Sequence, residues 1–191
     1  MADLAGIPET ELRMSRKEYR LWAEAQPKGR FERIEGVVVV VAMAPERAGH
    51  NDTKLQAWLA LRRAVAAAGL PCHVYGDGMT VEVDDSDFEP DAVVHRGERL
   101  PRDAIAVPEP MIVVEVLSPS TRGGDLTRKL VAYFRVPSVQ HYLVFWADRP
   151  QVIHHRRRED GQGVETRMLS EGEIRLDPPG IFITMGEVYT G

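Results

Sequence analysis

The sequence predicts a mixed α/β (α+β) fold, a single domain in which helices flank a mixed β-sheet. Two observations support this prediction. A long helical pattern covers residues 46–68, and several β-type runs follow it. A second helical pattern, residues 125–135, separates the most apolar run, residues 111–117, from the β-type run VQHYLVFWAD. Helices and strands that alternate along the chain are typical of a sheet covered by helices.

The composition is that of one globular domain. The chain has 191 residues, of which 43% are hydrophobic and 28% charged, so it is long enough to bury a sizeable core. The single cysteine, Cys72, excludes an intramolecular disulfide and a zinc site built from several cysteines, and it fits a reducing cytoplasm. The formal net charge of −5 argues against coating of nucleic acid by bulk charge, but allows a local basic cleft or a bound metal.

No targeting or membrane segment is evident. No apolar run approaches the roughly 20 residues that a membrane helix needs. The start of the chain, MADLAGIPETELR, lacks the apolar stretch of a signal peptide. We interpret residues 1–14 as a loose leader and residues 15–191 as the single domain.

The first elements have recognisable start and stop signals. The string SRKE, from Ser15 to Glu18, has capping-box spacing and predicts a short helix that ends near Ala25. The runs on either side of Glu35-Gly36, in RFERIEGVVVVVAM, predict a β-hairpin. The long helix places three apolar side chains on one stripe and stops at GLP. Those three side chains are Leu55, Leu59 and Val65.

The pattern then changes to strands. CHVYG and MTVEV flank a turn, and the acidic run DDSDFE is interpreted as a solvated turn before PDAVVHRG. After the second helix, VQHYLVFWAD and QVIHHRRR predict two further strands, and short β segments complete the chain.

Glu115 lies inside the most apolar strand, in MIVVEVLSPS. Removing a carboxylate from water costs several kcal/mol, of that order even after relaxation. We therefore expect this side chain to be protonated, paired with a cation, bound to a metal, or exposed at the end of the sheet.

Asp91, in EPDAVV, begins the strand before Glu115. Neighbouring strands lie about 4.8 Å apart, so the two carboxylates converge if both face the same way. A hard cation such as Mg²⁺ would relieve their repulsion. In the alternative interpretation, Asp91 caps a turn and Glu115 pairs with an arginine.

Lys129 supplies a cation on the helix that follows. It is four residues after Asp125, so the two side chains share a helical face. If that face points toward the end of the strand 111–117, Lys129 reaches the carboxylates. The alternative is an ordinary surface pair that contributes at most about 0.5 kcal/mol.

The strings EPDAVV, VVEVLSPSTRGGDLTRKLVAYF and VQHYLVFWADRP resemble the Uma-type restriction endonuclease family of the PD-(D/E)XK nuclease superfamily. The resemblance extends from about Arg30 to Arg157. It implies a restriction-endonuclease-like αβββαβ core and hydrolysis of DNA phosphodiester bonds. It also implies a divalent metal, Mg²⁺ or Mn²⁺, at Asp91 and Glu115, where we expect the carbonyl of Val116 to be a further ligand.

One position departs from the superfamily pattern. In E-x-K the lysine stands two residues after the glutamate, and here that residue is Leu117. Uma-type sequences are similar in this respect and have a lysine on the following helix. The resemblance therefore assigns the catalytic lysine to Lys129, with Asp91 and Glu115 as the other catalytic residues and Asp125 as an accessory.

Two further residues match the family. His50, at the start of the long helix, is a candidate to contact phosphate or orient a water; the alternative is a surface or capping histidine. Glu32, in the hairpin, is a candidate member of the acidic cluster; the alternative is a solvated residue paired with Arg33 or Arg30.

Three consecutive arginines end the run QVIHHRRR, and they are candidates for contact with a DNA backbone. They are Arg156, Arg157 and Arg158. The alternative is a solvated strand edge that deters aggregation.

Two interpretations of function remain open. One is a metal-dependent endonuclease; the other keeps the fold but has a degenerate site, as a module that binds nucleic acid or protein. The low charge around Tyr142–Trp146, together with the resemblance, favours a homodimer.

Overall fold

The structure, a computed structural model, describes residues 12–42, 46–117 and 123–189. These residues form four helices and twelve strands. The helices are α1 Arg16–Glu24, α2 Ala48–Ala67, α3 Gly123–Tyr133 and α4 Met185–Tyr189. The first six strands are β1 Arg30–Ile34, β2 Val37–Ala42, β3 Cys72–Gly76, β4 Val81–Val83, β5 Ser86–Phe88 and β6 Ala92–Arg96. The others are β7 Pro110–Leu117, β8 His141–Trp146, β9 Val152–Arg157, β10 Val164–Leu169, β11 Glu173–Leu176 and β12 Ile181–Thr184.

A six-stranded sheet is the centre of the fold, in the order β10-β9-β8-β7-β6-β3. Its strands pair antiparallel except for β7 and β8, which are parallel and joined through α3. The elements α2, β3, β6, β7, α3 and β8 follow the expected αβββαβ order, with β4 and β5 inserted. Those two strands join the β1–β2 hairpin in a second sheet, β2-β1-β5-β4. The predicted mixed sheet flanked by helices is confirmed.

The sequence predictions for the helices α1 and α2 are confirmed only in part. The capping box predicted for α1 is present, since Ser15 and Glu18 exchange hydrogen bonds at its start. The helix α2 also forms, but the predicted stripe is only partly confirmed: Val65 is buried in the core, whereas Leu55 is 50% exposed. Small residues lie against the sheet instead, because Ala57 and Ala60 bring the helix close to it and Leu61 fills the space beside them.

The strand β7 separates two cores. Val114 and Val116 pack in the core that contains α2, whereas Val113 and Leu117 pack in the core that contains residues of α3 and β5. Successive side chains of a strand point to opposite faces. Glu115 therefore faces the same side as Leu117, toward α3.

The acidic run DDSDFE is not a solvated turn. Only its start turns, with Asp84 at φ +48°, and residues 86–88 form β5 between β1 and β4. Asp87 is buried because the fully buried guanidinium of Arg33 donates to it at 2.7 Å and Arg16 donates at 2.6 Å. Asp87 therefore forms a buried ion pair with Arg33, which the acidic composition of the segment does not indicate.

Residues 12–14, at the end of the predicted leader, are hydrogen-bonded to the β1–β2 hairpin: Val38 donates to the Leu12 carbonyl, and Met14 donates to the Gly36 carbonyl. Residues 1–11 lie outside the described part of the chain. The apolar strand β8, on which the homodimer prediction partly depended, is an inner strand of the six-stranded sheet, and its first five residues are buried within the chain. The homodimer itself stays a prediction. Among the described helices, none is long and apolar enough to span a membrane.

Candidate active site

The carboxylate of Asp91 is fixed against the end of β7. The Asp91 amide donates to the Val114 carbonyl at 2.9 Å, and the Val116 amide donates to Asp91 Oδ2 at 2.7 Å. The side chain is only 5% exposed. Because the next residue, Ala92, pairs with Val114 in an antiparallel register, Asp91 lies opposite Glu115 on the neighbouring strand. The two carboxylates are close enough for the charge of Asp91 to raise the pKa of Glu115.

Glu115 accepts two hydrogen bonds from α3 on one oxygen. Lys129 Nζ donates to Oε1 at 2.9 Å, and the Tyr133 hydroxyl donates to the same atom at 2.8 Å. The two donors are four residues apart and so share the face of α3 that covers Glu115. Lys129 is 3% exposed, which excludes the alternative of a surface pair for this lysine.

Glu32 joins the cluster from β1. Its Oε1 accepts from Lys129 Nζ at 2.9 Å and from the Glu89 amide at 3.1 Å. With 2% of its surface exposed, it is not the solvated residue of the alternative interpretation. Lys129 thus bridges Glu32 and Glu115, which are on different sheets.

His50 reaches the site from the opposite face of β7. Its Nε2 lies 2.8 Å from the Val116 carbonyl oxygen. A carbonyl only accepts, so this nitrogen carries the proton. The other ring nitrogen, Nδ1, lies 3.3 Å from Glu46 Oε2. The carbonyl expected to be a metal ligand is therefore hydrogen-bonded to a histidine in this structure.

The sequence reasoning missed the cations next to Asp91. Lys54 Nζ, on α2, lies 3.3 Å from Asp91 Oδ1 and donates to Asp77 at 2.6 Å and to Glu46 at 2.9 Å. Arg30 Nη1 lies 3.5 Å from the same Asp91 oxygen. Burial opposes the charged form of Lys54, but its three carboxylate partners outweigh burial and raise its pKa. It is therefore an ammonium ion.

The sequence contains a helical spacing that could have identified some of these residues. Glu46, His50 and Lys54 are spaced by four residues, which places them on one face of a helix over residues 46–68. Tyr133 likewise follows Lys129 by four residues. Asp125 belongs to the same series and lies within α3, but its side chain is outside the described part of the structure.

The carboxylates of the site outnumber the cations that compensate them. Burial raises the pKa of Glu115 to about 7; Lys129 opposes this effect, and the charges of Asp91 and Glu32 add to it. Burial also raises the pKa of Glu89, where Arg30 opposes the effect and Glu32 adds to it. Burial and neighbouring carboxylates therefore oppose the ionisation of both acids more strongly than Lys129 and Arg30 favour it.

The donor atoms of this site suit a hard divalent cation. Carboxylate and carbonyl oxygens of Asp91, Glu115 and Val116 are the ligand types that Mg²⁺ and Mn²⁺ take. Across residues 12–42, 46–117 and 123–189, however, no three Asp, Glu, His or Cys side chains are grouped as a metal site. The cations next to Asp91 are Lys54 and Arg30.

The arginine tract lies at the other end of the sheet. Arg156 pairs with His141, which pairs with Ile112 at the start of β7. Glu115 is three residues further along β7, about 10 Å at the usual rise, and two strand spacings add about another 10 Å. The tract therefore does not line the carboxylate site.

The three arginines also differ from one another. Arg157 donates to the carbonyls of Val139, Phe134 and Val136, all at 2.8–2.9 Å. It therefore holds the segment after α3 and has little freedom to reach DNA. Arg156 and Arg158 lie near Glu159 and Asp160, respectively, and their contact with DNA stays a prediction.

The fold and the buried carboxylates together define a protein of the restriction-endonuclease-like class. A family model described as "Uma2: Putative restriction endonuclease" matches residues 16–184. The chain belongs to this family.

Similar proteins extend over most of the chain. Two uncharacterized proteins of Synechocystis sp. are 28% and 24% identical to it, over 79% and 94% of the chain and 85% and 93% of their own lengths. A crystal structure described as a "putative nuclease belonging to DUF820" from Anabaena variabilis superposes with a TM-score of 0.73. The match covers 93% of this chain and 98% of that one at 16% identity, and it shows that the two proteins have the same fold.

Proposed function

We propose that this chain is an endonuclease that hydrolyses DNA phosphodiester bonds with a divalent metal, Mg²⁺ or Mn²⁺. One observation carries the proposal: Lys129, from the following helix, lies 2.9 Å from Glu115 beside the fixed carboxylate of Asp91. A buried pair of carboxylates can bind a divalent metal, and an adjacent lysine can stabilise the charge that develops when a phosphodiester is hydrolysed. Membership of the Uma2 family supports the nuclease-like part of this proposal.

Asp91 and Glu115 would hold the metal, with the Val116 carbonyl as a further oxygen donor. Oδ2 of Asp91 is already bonded to the Val116 amide, so Oδ1 is the oxygen left to face a ligand. In the same way, Lys129 and Tyr133 both bond to Oε1 of Glu115, which leaves Oε2. A bound divalent cation would polarise the scissile phosphate and lower the pKa of a water nucleophile.

Lys129 takes the place of the lysine that the strand lacks. Leu117 and Glu115 point to the same face of β7, toward α3. A lysine that comes from α3 therefore enters the space that a lysine at position 117 would occupy. There its ammonium group orients Glu115 and stabilises the negative charge that develops on the phosphate.

Cleavage of both DNA strands by one such site would need a second copy, so we extend the proposal to a homodimer on DNA. The buried strand β8 does not form that interface. Light scattering of the free protein and of its DNA complex tests this part: a mass of one chain in both contradicts the dimer.

A second function keeps the fold without catalysis. Its motivating observation is that Asp91 Oδ1 faces Lys54 at 3.3 Å and Arg30 at 3.5 Å, so the protein carries its own counter-cations at a predicted metal ligand. In that case the chain binds nucleic acid or protein and cleaves nothing.

A cleavage assay distinguishes the two functions. Plasmid and single-stranded DNA are incubated with the protein and Mg²⁺ or Mn²⁺, with a chelator as the negative control. The nuclease proposal expects cleavage that Asp91→Ala and Glu115→Ala abolish, whereas the exposed Asp103→Ala retains it. Equal cleavage by the two site variants and wild type contradicts the proposal, and binding of DNA without cleavage favours the second function.

A further inference from the structure

Lys54 contacts the predicted metal site from α2, whereas Lys129 contacts it from α3 on the other face of the sheet. It belongs to α2, and its ammonium nitrogen lies 3.3 Å from Asp91 Oδ1, the oxygen that the Val116 amide does not use. The side chain is buried, which is unusual for a lysine unless it is paired. Its position therefore needs an electrostatic explanation.

Two carboxylates outside the metal site hold this lysine. Asp77 accepts from Nζ at 2.6 Å, and Glu46 accepts at 2.9 Å and 3.1 Å through its two oxygens. Both contacts are shorter than the one with Asp91. Lys54 is therefore anchored mainly by Asp77 and Glu46, and its contact with Asp91 is the longest of the three.

We infer that Lys54 is the counter-cation of the metal-free site and competes with the divalent metal for Asp91. The inference rests on the proposed function, since it assumes that a metal binds there. A buried carboxylate without a cation is costly, and Lys54 removes that cost in the metal-free protein. When the metal binds, the ammonium and the metal repel each other across Asp91.

The contacts with Asp77 and Glu46 keep the free-energy cost of displacing Lys54 from Asp91 low. Lys54 keeps both carboxylates as partners when it withdraws from Asp91, so its charge remains paired. The side chains of Asp77 and Glu46 are 49% and 26% exposed, so water solvates this outer part of the network. Arg30 Nη1 lies 3.5 Å from the same Asp91 oxygen, so its positive charge also competes with a metal for this oxygen.

The test measures binding of Mn²⁺ to the full-length, chelator-treated chain by calorimetry. Lys54→Met keeps the length of the side chain but removes its charge. We expect Mn²⁺ affinity to rise about tenfold, as for the loss of one like charge near a partly screened site. Lys17→Met, on the exposed face of α1, is the matched control and should leave the affinity unchanged.

Thermal unfolding with and without Mn²⁺ separates competition from a structural role. Competition predicts that Lys54→Met lowers the Tm of the metal-free protein and enlarges the rise in Tm that Mn²⁺ produces. A purely structural lysine would lower the Tm equally in both conditions.

The outcomes are distinguishable. Wild-type binding with equal or weaker affinity in Lys54→Met overturns the inference and leaves the proposed metal site intact. Binding that appears only in Lys54→Met supports the inference in its strongest form. If neither protein binds Mn²⁺, both the inference and the proposed metal dependence are wrong.

Discussion

Lys129 and Glu115 are 14 residues apart in the chain, yet the lysine nitrogen lies 2.9 Å from the glutamate oxygen. The strand β7 ends two residues after Glu115, and α3 then returns across the face to which Glu115 points. This return brings a lysine from the helix to Glu115, although Leu117 stands where the E-x-K pattern has a lysine. Under the proposed function, this contact replaces the missing strand lysine.

Removing the charge of Lys129 should impair hydrolysis more than folding. We expect Lys129→Met to lower the cleavage rate by about 10²–10³-fold, the usual loss for one electrostatic donor in an active site. Because Lys129 opposes the raised pKa of Glu115, its loss should also shift the pH dependence of the remaining activity upward. Rates measured across pH, with circular dichroism as a folding check, test both effects.

The matched control for this variant is Lys17→Met, which removes an exposed charge from α1. It should cleave like wild type at every pH. A Lys129→Met protein that is folded and cleaves at the wild-type rate would show that this lysine has no part in the reaction.

The buried pair of Arg33 and Asp87 should stabilise the fold. Asp87→Ala leaves the fully buried Arg33 without its closest buried partner, although Asp85 still accepts from it at 2.6 Å. We expect the free energy of unfolding to fall by about 3 kcal/mol, the lower end for a broken buried pair. Urea unfolding measures the change.

Asp85→Ala is the comparison, because this carboxylate is 74% exposed and water screens its pair with Arg33. Its effect should be much smaller than that of Asp87→Ala. Equal losses in the two variants would contradict the structural role assigned to Asp87.

His141 and His154 should make stability depend on pH. His141 Nε2 lies 2.8 Å from the Pro178 carbonyl, and the facing nitrogens of the two rings are 2.9 Å apart. Burial lowers the pKa of His141 to about 4, and burial with the charge of His141 lowers that of His154 to about 3. Both rings are therefore neutral in the native protein at pH values where the unfolded chain already binds protons, below about 6.5.

The sign follows from linkage. Where the unfolded state binds more protons, stability falls as the pH falls, by at most about 1.4 kcal/mol per pH unit for each histidine. Glu115, with its raised pKa, acts in the opposite direction and offsets about one of them between pH 7 and 4.5. We expect the two histidines to make the protein less stable as the pH falls from about 6.5 to 4.5.

Urea unfolding across this pH range tests the prediction. His154→Gln removes one of the titrating rings but keeps a donor for His141, so its stability should depend less on pH than that of wild type between those limits. A wild-type protein that is equally stable at both limits would contradict the neutral pair.

Local signals predicted the fold well, because most of them are properties of short segments. The capping box of Ser15 and Glu18, the Glu35-Gly36 turn and the apolar run of β7 each depend on a few adjacent residues. The segment DDSDFE was misjudged since the partner that buries Asp87, Arg33, is 54 residues away. Composition cannot reveal such a pairing.

The candidate site shows the same contrast between residues that short segments indicate and residues that only the folded chain brings together. The resemblance and the spacing identified Asp91, Glu115 and Lys129, and the structure brings them together with Glu32 and His50. Lys54 and Arg30 were missed because their partners come from other segments of the chain. Only the i, i+4 spacing of His50 and Lys54 was visible beforehand, and it has no meaning until α2 is docked on β7.

The most direct test of the account is a crystal of this protein soaked in millimolar Mn²⁺, examined by anomalous diffraction. We expect a peak between the carboxylates of Asp91 and Glu115, with Lys54 withdrawn toward Asp77. A well-ordered site without a peak, in which Lys54 still contacts Asp91, would contradict it.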